Sequence, residues 1–176
     1  MTRSKGTPSN PVARSEGTPS DPATEHDQSV LQSALAAEHA AIYGYGVVGA
    51  YLTGRLEQAA QQDWATHQVA MYALVSRLTS AGAQPVAAQD AYQLPFAVRS
   101  RAAAVALAAF LEGRVAEAYL GLVALDDPGL RAWGAQQVRA SALRATFWSG
   151  RTAAFPGLPD PAGTGTAAFA RPSAAP

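Results

Sequence analysis

The chain has no cysteine, so disulfides, thiolate-bound metals and thiol nucleophiles are excluded, and histidine, carboxylate and carbonyl groups are the metal donors left. It has no excess of either charge. Its 13 basic and 13 acidic residues cancel, so no basic footprint points to nucleic acid or to an anionic membrane surface. It also has no run of about 18 apolar residues free of charges or polar clusters. The opening MTRSKGTPSNPVARSEG lacks the apolar centre of a secretion leader. These absences set the expectation of a cytoplasmic chain with neither nucleic acid nor a membrane among its partners. Basic residues are nearly all arginine and alanine is abundant, which reads as GC-rich coding rather than as a function.

What is present is one domain's worth of helix between two polar ends. A length of 176 residues holds a single domain with a substantial core. Residues 1–26 are rich in Pro, Ser, Thr and Gly and carry a near repeat, RSKGTPSNP at Arg3–Pro11 and RSEGTPSDP at Arg14–Pro22. That composition buries too little apolar surface to offset its ordering entropy, so a disordered arm is expected there. Residues 156–176 form a similar Pro/Gly-rich tail, and residues 27–155 are assigned to the folded domain.

Within the domain the apolar positions recur at steps of three and four. The first helix follows Leu31, Leu35, Glu38, Ile42, Tyr45, Gly49, Leu52 and Leu56, with Asp27 or Ser29 as its cap. The second follows Ala60, Trp64, His67, Met71, Leu74 and Leu78, ending near Ala81-Gly82. The third follows Val105, Ala108, Glu112, Val115, Tyr119 and Leu122, opened by Ser100. The fourth follows Leu130, Trp133, Gln137, Ala140, Arg144 and Phe147, opened by Asp127-Pro128. Short links join helices one and two and helices three and four, so each pair is read as an antiparallel hairpin. The link from Gly82 to Arg99 is long enough to run the length of the bundle. The expectation is an all-α, four-helix ferritin-like bundle with a crossover between helices two and three.

Ferritin-like di-metal proteins set one Glu on each of two helices and a Glu-x-x-His on each of the other two. Laid on that plan, this chain keeps Glu38, His67 and Glu112 as metal-ligand candidates. Trp64 stands where a bridging Glu belongs, its indole expected to fill the ligand space, and Gln137 and Ala140 replace the second pair. Three groups can hold at most one divalent ion of iron, manganese or zinc; the competing reading, and the preferred one, has no cofactor. In it Glu38, His67, Glu112, Gln137 and Arg144, or Arg139 in place of Arg144, form a buried polar network that fixes helix register. His39 diverges from Glu38 by about 100 degrees around the helix and is placed on a flank; His26 is placed in the arm. Tyr43, Tyr45, Tyr51, Tyr72 and Tyr119 are read as core filling, and Gly44, Gly46, Gly49 and Gly54 as points of close helix contact.

Four segments together resemble a known family: LQSALAAEHAAIYGYGVVGA at Leu31–Ala50, DAYQLPF at Asp90–Phe96, AAAVALAAFLEGRVAEAYLGLV at Ala102–Val123 and FWSGRTAAFPGLP at Phe147–Pro159. They are similar to the bacterial ferritin-like domain of unknown function 4439, common in actinobacteria, over about Ser29–Pro159. The resemblance implies the four-helix fold with its crossover and no defined activity.

The resulting functional expectation is a scaffold or interaction protein without a di-iron centre, with no catalytic residue assigned. It self-associates as a homodimer through helix faces or engages a protein partner through the N-terminal arm. Two alternatives accompany it. One is a metal-binding oxidoreductase or storage protein using Glu38, His67 and Glu112. The other is an apolar small-molecule carrier with its cavity between small residues such as Ala108, Ala140 and Gly49.

Overall fold

The structure is a computed structural model that describes residues 22–153 and 155–158; the near repeat up to its last residue, Pro22, and most of the C-terminal tail lie outside the described residues. Four helices make up the fold, α1 Pro22–Gly49, α2 Arg55–Ser80, α3 Arg101–Val123 and α4 Pro128–Ser149, with no strand among the described residues.

The boundaries follow local chemistry. Ser100 caps α3 by accepting from the Ala103 amide at 3.2 Å. Asp127 caps α4 by accepting from the Leu130 amide at 2.6 Å, with Pro128 in the first turn, where its missing N–H costs nothing. Gly82 and Gly150, both at positive φ, follow the ends of α2 and α4. Helix α1 differs from expectation at both ends. It begins at Pro22 with Glu25 in its first turn, so Asp27 and Ser29 lie inside it and His26 belongs to it rather than to the arm. It stops at Gly49, and Leu56 belongs to α2, because the chain reverses at Gly54 with φ 63°. The fourth seam also shifts. The buried line of α4 is Gly134, Ser141 and Trp148, one residue on from the expected series, and Phe147 points outward.

The long link does cross. Its start is held at the N-terminal half of α1, where Gln28 Nε2 donates to Ala81 O at 3.0 Å. Gln32 Nε2 donates to Gln84 O at 2.7 Å and Gln32 Oε1 accepts from the Val86 amide at 2.8 Å. Further along, His39 Nε2 donates to Val86 O at 3.2 Å, the flank position expected of it, and Tyr43 packs on Tyr92 with ring centroids 5.5 Å apart. Leu94 and Val98 then join the cluster of Tyr45, Val48 and Leu52 near the far end of α1. Helix α3 therefore starts beside the end of α1 and runs back antiparallel to it, ending where Gly121 meets Val30. This single long crossover is the connectivity that separates ferritin-like bundles from up-down-up-down ones.

Two apolar clusters fill the bundle. One gathers Leu31, Leu35, Leu74, Leu78, Leu122 and Leu125, the other Tyr45, Val48, Leu52, Leu107, Leu111 and Trp148. The polar cluster lies between these two layers.

Candidate functional site

Helices α1 and α3 each carry a glutamate followed seven residues later by a tyrosine: Glu38 and Tyr45, Glu112 and Tyr119. Seven residues are two helical turns, so both members of each pair face the interior. Because the helices run antiparallel, the pairs exchange partners. Tyr45 donates to Glu112 Oε1 at 2.6 Å and Tyr119 donates to Glu38 Oε1 at 2.8 Å. All four residues are at most 2% exposed.

Between the two carboxylates, α2 inserts His67. Its Nδ1 lies 2.7 Å from Glu38 Oε2 and its Nε2 lies 3.1 Å from Glu112 Oε1. Ionised carboxylates only accept, so satisfying both contacts requires a proton on each ring nitrogen. Burial pushes the His67 pKa down, but hydrogen bonds to Glu112 and Glu38 and the charges of both outweigh it and raise the value to about 9. The imidazolium is therefore the resting form near neutrality. Tyr45 lies stacked against its ring at 5.2 Å.

Helix α4 supplies Arg144, whose Nε donates to Glu112 Oε1 at 2.8 Å and whose Nη2 donates to the buried Ser141 hydroxyl at 3.0 Å. Burial opposes ionisation of Glu112, yet the contacts of His67 and Arg144 leave its pKa below the usual carboxylate value. Asp63 of α2 completes the cluster, accepting at Oδ2 from Trp148 Nε1 at 2.8 Å and lying 4.0 Å from Arg144 Nε. Burial raises the Asp63 pKa, partly offset by the Trp148 hydrogen bond. Burial and the adjacent carboxylates also push the Tyr45 and Tyr119 hydroxyls far above their ordinary values, keeping both as donors. Three carboxylates thus face two cations. Glu112 Oε1 accepts from three donors, while its Oε2 is buried without a hydrogen-bond partner.

The structure thus brings together Glu38, His67, Glu112 and Arg144. Gln137, expected in the network, is half-buried on the shoulder of α4 and makes no side-chain hydrogen bond there, because the buried line of the helix passes through Ser141. Arg139 is exposed. Trp64 does not fill ligand space: three residues before His67, it is turned about 60 degrees off the inward direction and is 39% exposed. Asp63, four residues before His67, falls within about 40 degrees of it on the side facing α4. Asp63, Trp148, Ser141 and the hydroxyl roles of Tyr45 and Tyr119 were not in the sequence reading. The seven-residue Glu-to-Tyr and Ser-to-Trp spacings were the available signal. Tyr51 and Tyr72 are exposed rather than core, and among the helix-one glycines only Gly44 makes a close contact, against Leu111. Ala108 is fully buried, and none of Ala108, Ala140 and Gly49 lines the groove between α1, the crossover and α3 or the groove along α3 and α4.

The sequence profile described as Domain of unknown function (DUF4439) matches residues 30–160. The chain belongs to this family. Within the DUF4439 region, the matched segment contains all four helices but the first turns of α1, and with them every residue of the polar cluster. The chain is also similar to a solved structure, the crystal structure of a conserved hypothetical protein, rv2844, from Mycobacterium tuberculosis. The identity is 31% and the TM-score 0.69, over 72% of this chain and 96% of that one. A search among curated proteins gave no match.

Proposed function

We propose that this DUF4439 chain is a ferritin-like scaffold or interaction protein in which a fixed Glu–His–Glu–Arg network takes the place of a di-iron centre. The supporting observation is that one Glu112 oxygen accepts from Arg144, Tyr45 and His67 at once, between 2.6 and 3.1 Å. A guanidinium thereby supplies the positive charge that a metal ion supplies in a ferritin-like site, and both imidazole nitrogens are committed to carboxylates. The donor set suits two metals poorly: it holds one imidazole, and its carboxylates Glu38, Glu112 and Asp63 are hydrogen-bonded to Tyr119 and His67, to Tyr45, His67 and Arg144, and to Trp148.

With both imidazole nitrogens of His67 and one Glu112 oxygen engaged by side chains, the outward faces carry the function in this reading. Val69 and Tyr72 on α2 and Leu143 and Phe147 on α4 are each more than half exposed. Apolar side chains at that exposure suit protein contact, either a second copy through helix faces or another protein that also engages the N-terminal arm. No helix among the described residues is long and apolar enough to cross a membrane, and the proposed setting is cytoplasmic.

The test is elemental analysis of chain purified without chelator, alongside Glu38→Ala. The reading expects well under a tenth of an equivalent of any transition metal in both. About one equivalent of iron, manganese or zinc that disappears in Glu38→Ala would overturn it and establish a mononuclear site at Glu38, His67 and Glu112.

A further inference from the structure

The chain's charges balance in number, but the fold separates them in space. One end of the bundle gathers the close of α1, the start of α2, the last stretch of the crossover, the start of α3 and the close of α4, packed on a shared apolar cluster that includes Val48, Leu52, Ala60, Val98, Ala104 and Trp148. Arg55, Arg99, Arg101 and Arg151 stand at this end, all exposed, against Glu57 alone. The opposite end holds Glu25, Asp27, Asp126 and Asp127. Its two arginines are engaged: Arg77 lies over the Trp133 ring at 4.0 Å, and Arg131 donates to Leu125 O and Asp126 O.

Nothing in the fold itself calls for the four arginines of the basic end. None forms an ion pair among the described residues. Arg55 and Arg101 are the first residues of α2 and α3, where a cation opposes the helix dipole. Arg151 is fixed against the close of α4, its amide donating to Ser149 Oγ at 3.1 Å. At the same end Tyr51, Phe96 and Phe147 are each at least 40% exposed. Neither boundary of the described residues lies on this face: residue 22 is at the acidic end, and Gly157 lies beside Ala116 and Glu117 on the flank of α3.

Arginines and exposed rings at one level suit a planar anionic surface, where guanidinium groups meet phosphate oxygens and the rings sit among the headgroups. A nucleic acid is instead held along a basic stripe. The flanks extend no such stripe: Arg114 is paired with Glu117 and Arg144 with Glu112, which leaves Arg139 alone.

We propose that this basic, aromatic end is a docking face for an anionic lipid bilayer, on which the bundle stands end-on with its acidic end turned away. The contact is peripheral and reversible, made by four arginines and three rings without a spanning helix. Summed charge led to the expectation of no membrane partner; the separation of charge by the fold reverses it for this face. The inference goes beyond the scaffold reading and does not depend on the interior network.

The experiment sediments the full chain with vesicles of mixed phosphatidylglycerol and phosphatidylcholine, and with vesicles of phosphatidylcholine alone, at low and high salt. The anionic vesicles should carry the chain down, the neutral ones should not, and salt should release it. Each arginine near such a surface is worth about fivefold in binding, so Arg99→Glu combined with Arg101→Glu should weaken it at least about twentyfold. Tyr51→Ser combined with Phe96→Ser should weaken it severalfold, and Arg139→Glu, a charge reversal on the flank, should leave it largely unchanged. All five positions are exposed, so the variants keep the fold, as circular dichroism verifies. The proposal is overturned by no sedimentation with anionic vesicles, by equal sedimentation with neutral ones, or by a loss in Arg139→Glu as large as in the double arginine variant. Duplex DNA bound more tightly than the vesicles at the same arginines would also overturn it.

Discussion

At the residue scale, the interior is decided by the reciprocal donation of two tyrosines to two glutamates. Each hydroxyl supplies a charge-assisted hydrogen bond to a carboxylate with no access to water. Tyr119→Phe removes the bond to Glu38 Oε1 and should lower the unfolding free energy by about 1.5–3 kcal/mol in urea melts, with an unchanged slope. A loss under about 0.5 kcal/mol would show that Glu38 finds another donor. His67 adds a pH dependence of defined sign. Its folded pKa of about 9 exceeds the ordinary 6.5, so the stabilisation is complete below about pH 6.5 and disappears as pH rises through 9. The shift corresponds to a loss on the order of 3 kcal/mol. Urea midpoints at pH 6.5 and 9.5 check it, and His67→Gln should flatten the difference. Glutamates at helical seam positions were readable in the sequence because a charge inside an apolar period stands out. The partners were less so, since a tyrosine in a seam looks the same whether its hydroxyl works or not. Asp63 sits just off the marked seam and emerges only once the rotation of α2 is known.

At the element scale, helix existence follows from period and caps, while helix rotation does not. The Ser100 and Asp127 caps and the Gly82 stop are where the sequence places them, because each relies on local chemistry alone. The one-residue rotation of α4 comes from a contact that no local pattern encodes. Gly134 lets α4 approach α3 until a Cβ there would lie 2.7 Å from Leu122 Cβ and 3.1 Å from the Tyr119 carbonyl oxygen. That approach turns Ser141 and Trp148 inward and leaves Phe147 outside. Gly134→Ala should therefore cost about 1–3 kcal/mol through forced separation of the helices. Gly46→Ala, at an exposed position inside α1 with nothing within 4 Å of the added methyl, should instead stabilise by about 0.5–1 kcal/mol. Thermal melts of the two variants moving in the same direction would contradict this packing account.

At the scale of the whole molecule, the crossover sets the direction of α3 and so makes the exchange of tyrosines between α1 and α3 achievable. Its length was legible in the sequence, since the span from Gly82 to Arg99 is enough to run the length of the bundle, but length alone permits a crossing without fixing it. The anchors were not, because an exposed glutamine such as Gln32 carries no sign of its distant partners. Gln32 alone both donates to Gln84 O and accepts from Val86 N. Gln32→Ala should leave the helices intact while raising amide exchange at Val86 and its neighbours, read by hydrogen-exchange mass spectrometry. Exchange unchanged there would mean that Tyr43, Tyr92 and the packing of Leu94 and Val98 hold the strap without it. The central claim concerns the centre of the bundle, where His67 joins two glutamates as a cation beside Arg144. The most direct measurement is the nitrogen-15 spectrum of the His67 imidazole in the purified chain at pH 7.5. The account predicts two protonated ring nitrogens, the signature of an imidazolium held between Glu38 and Glu112. A neutral ring, or a nitrogen shifted by coordination to a metal ion, would contradict it.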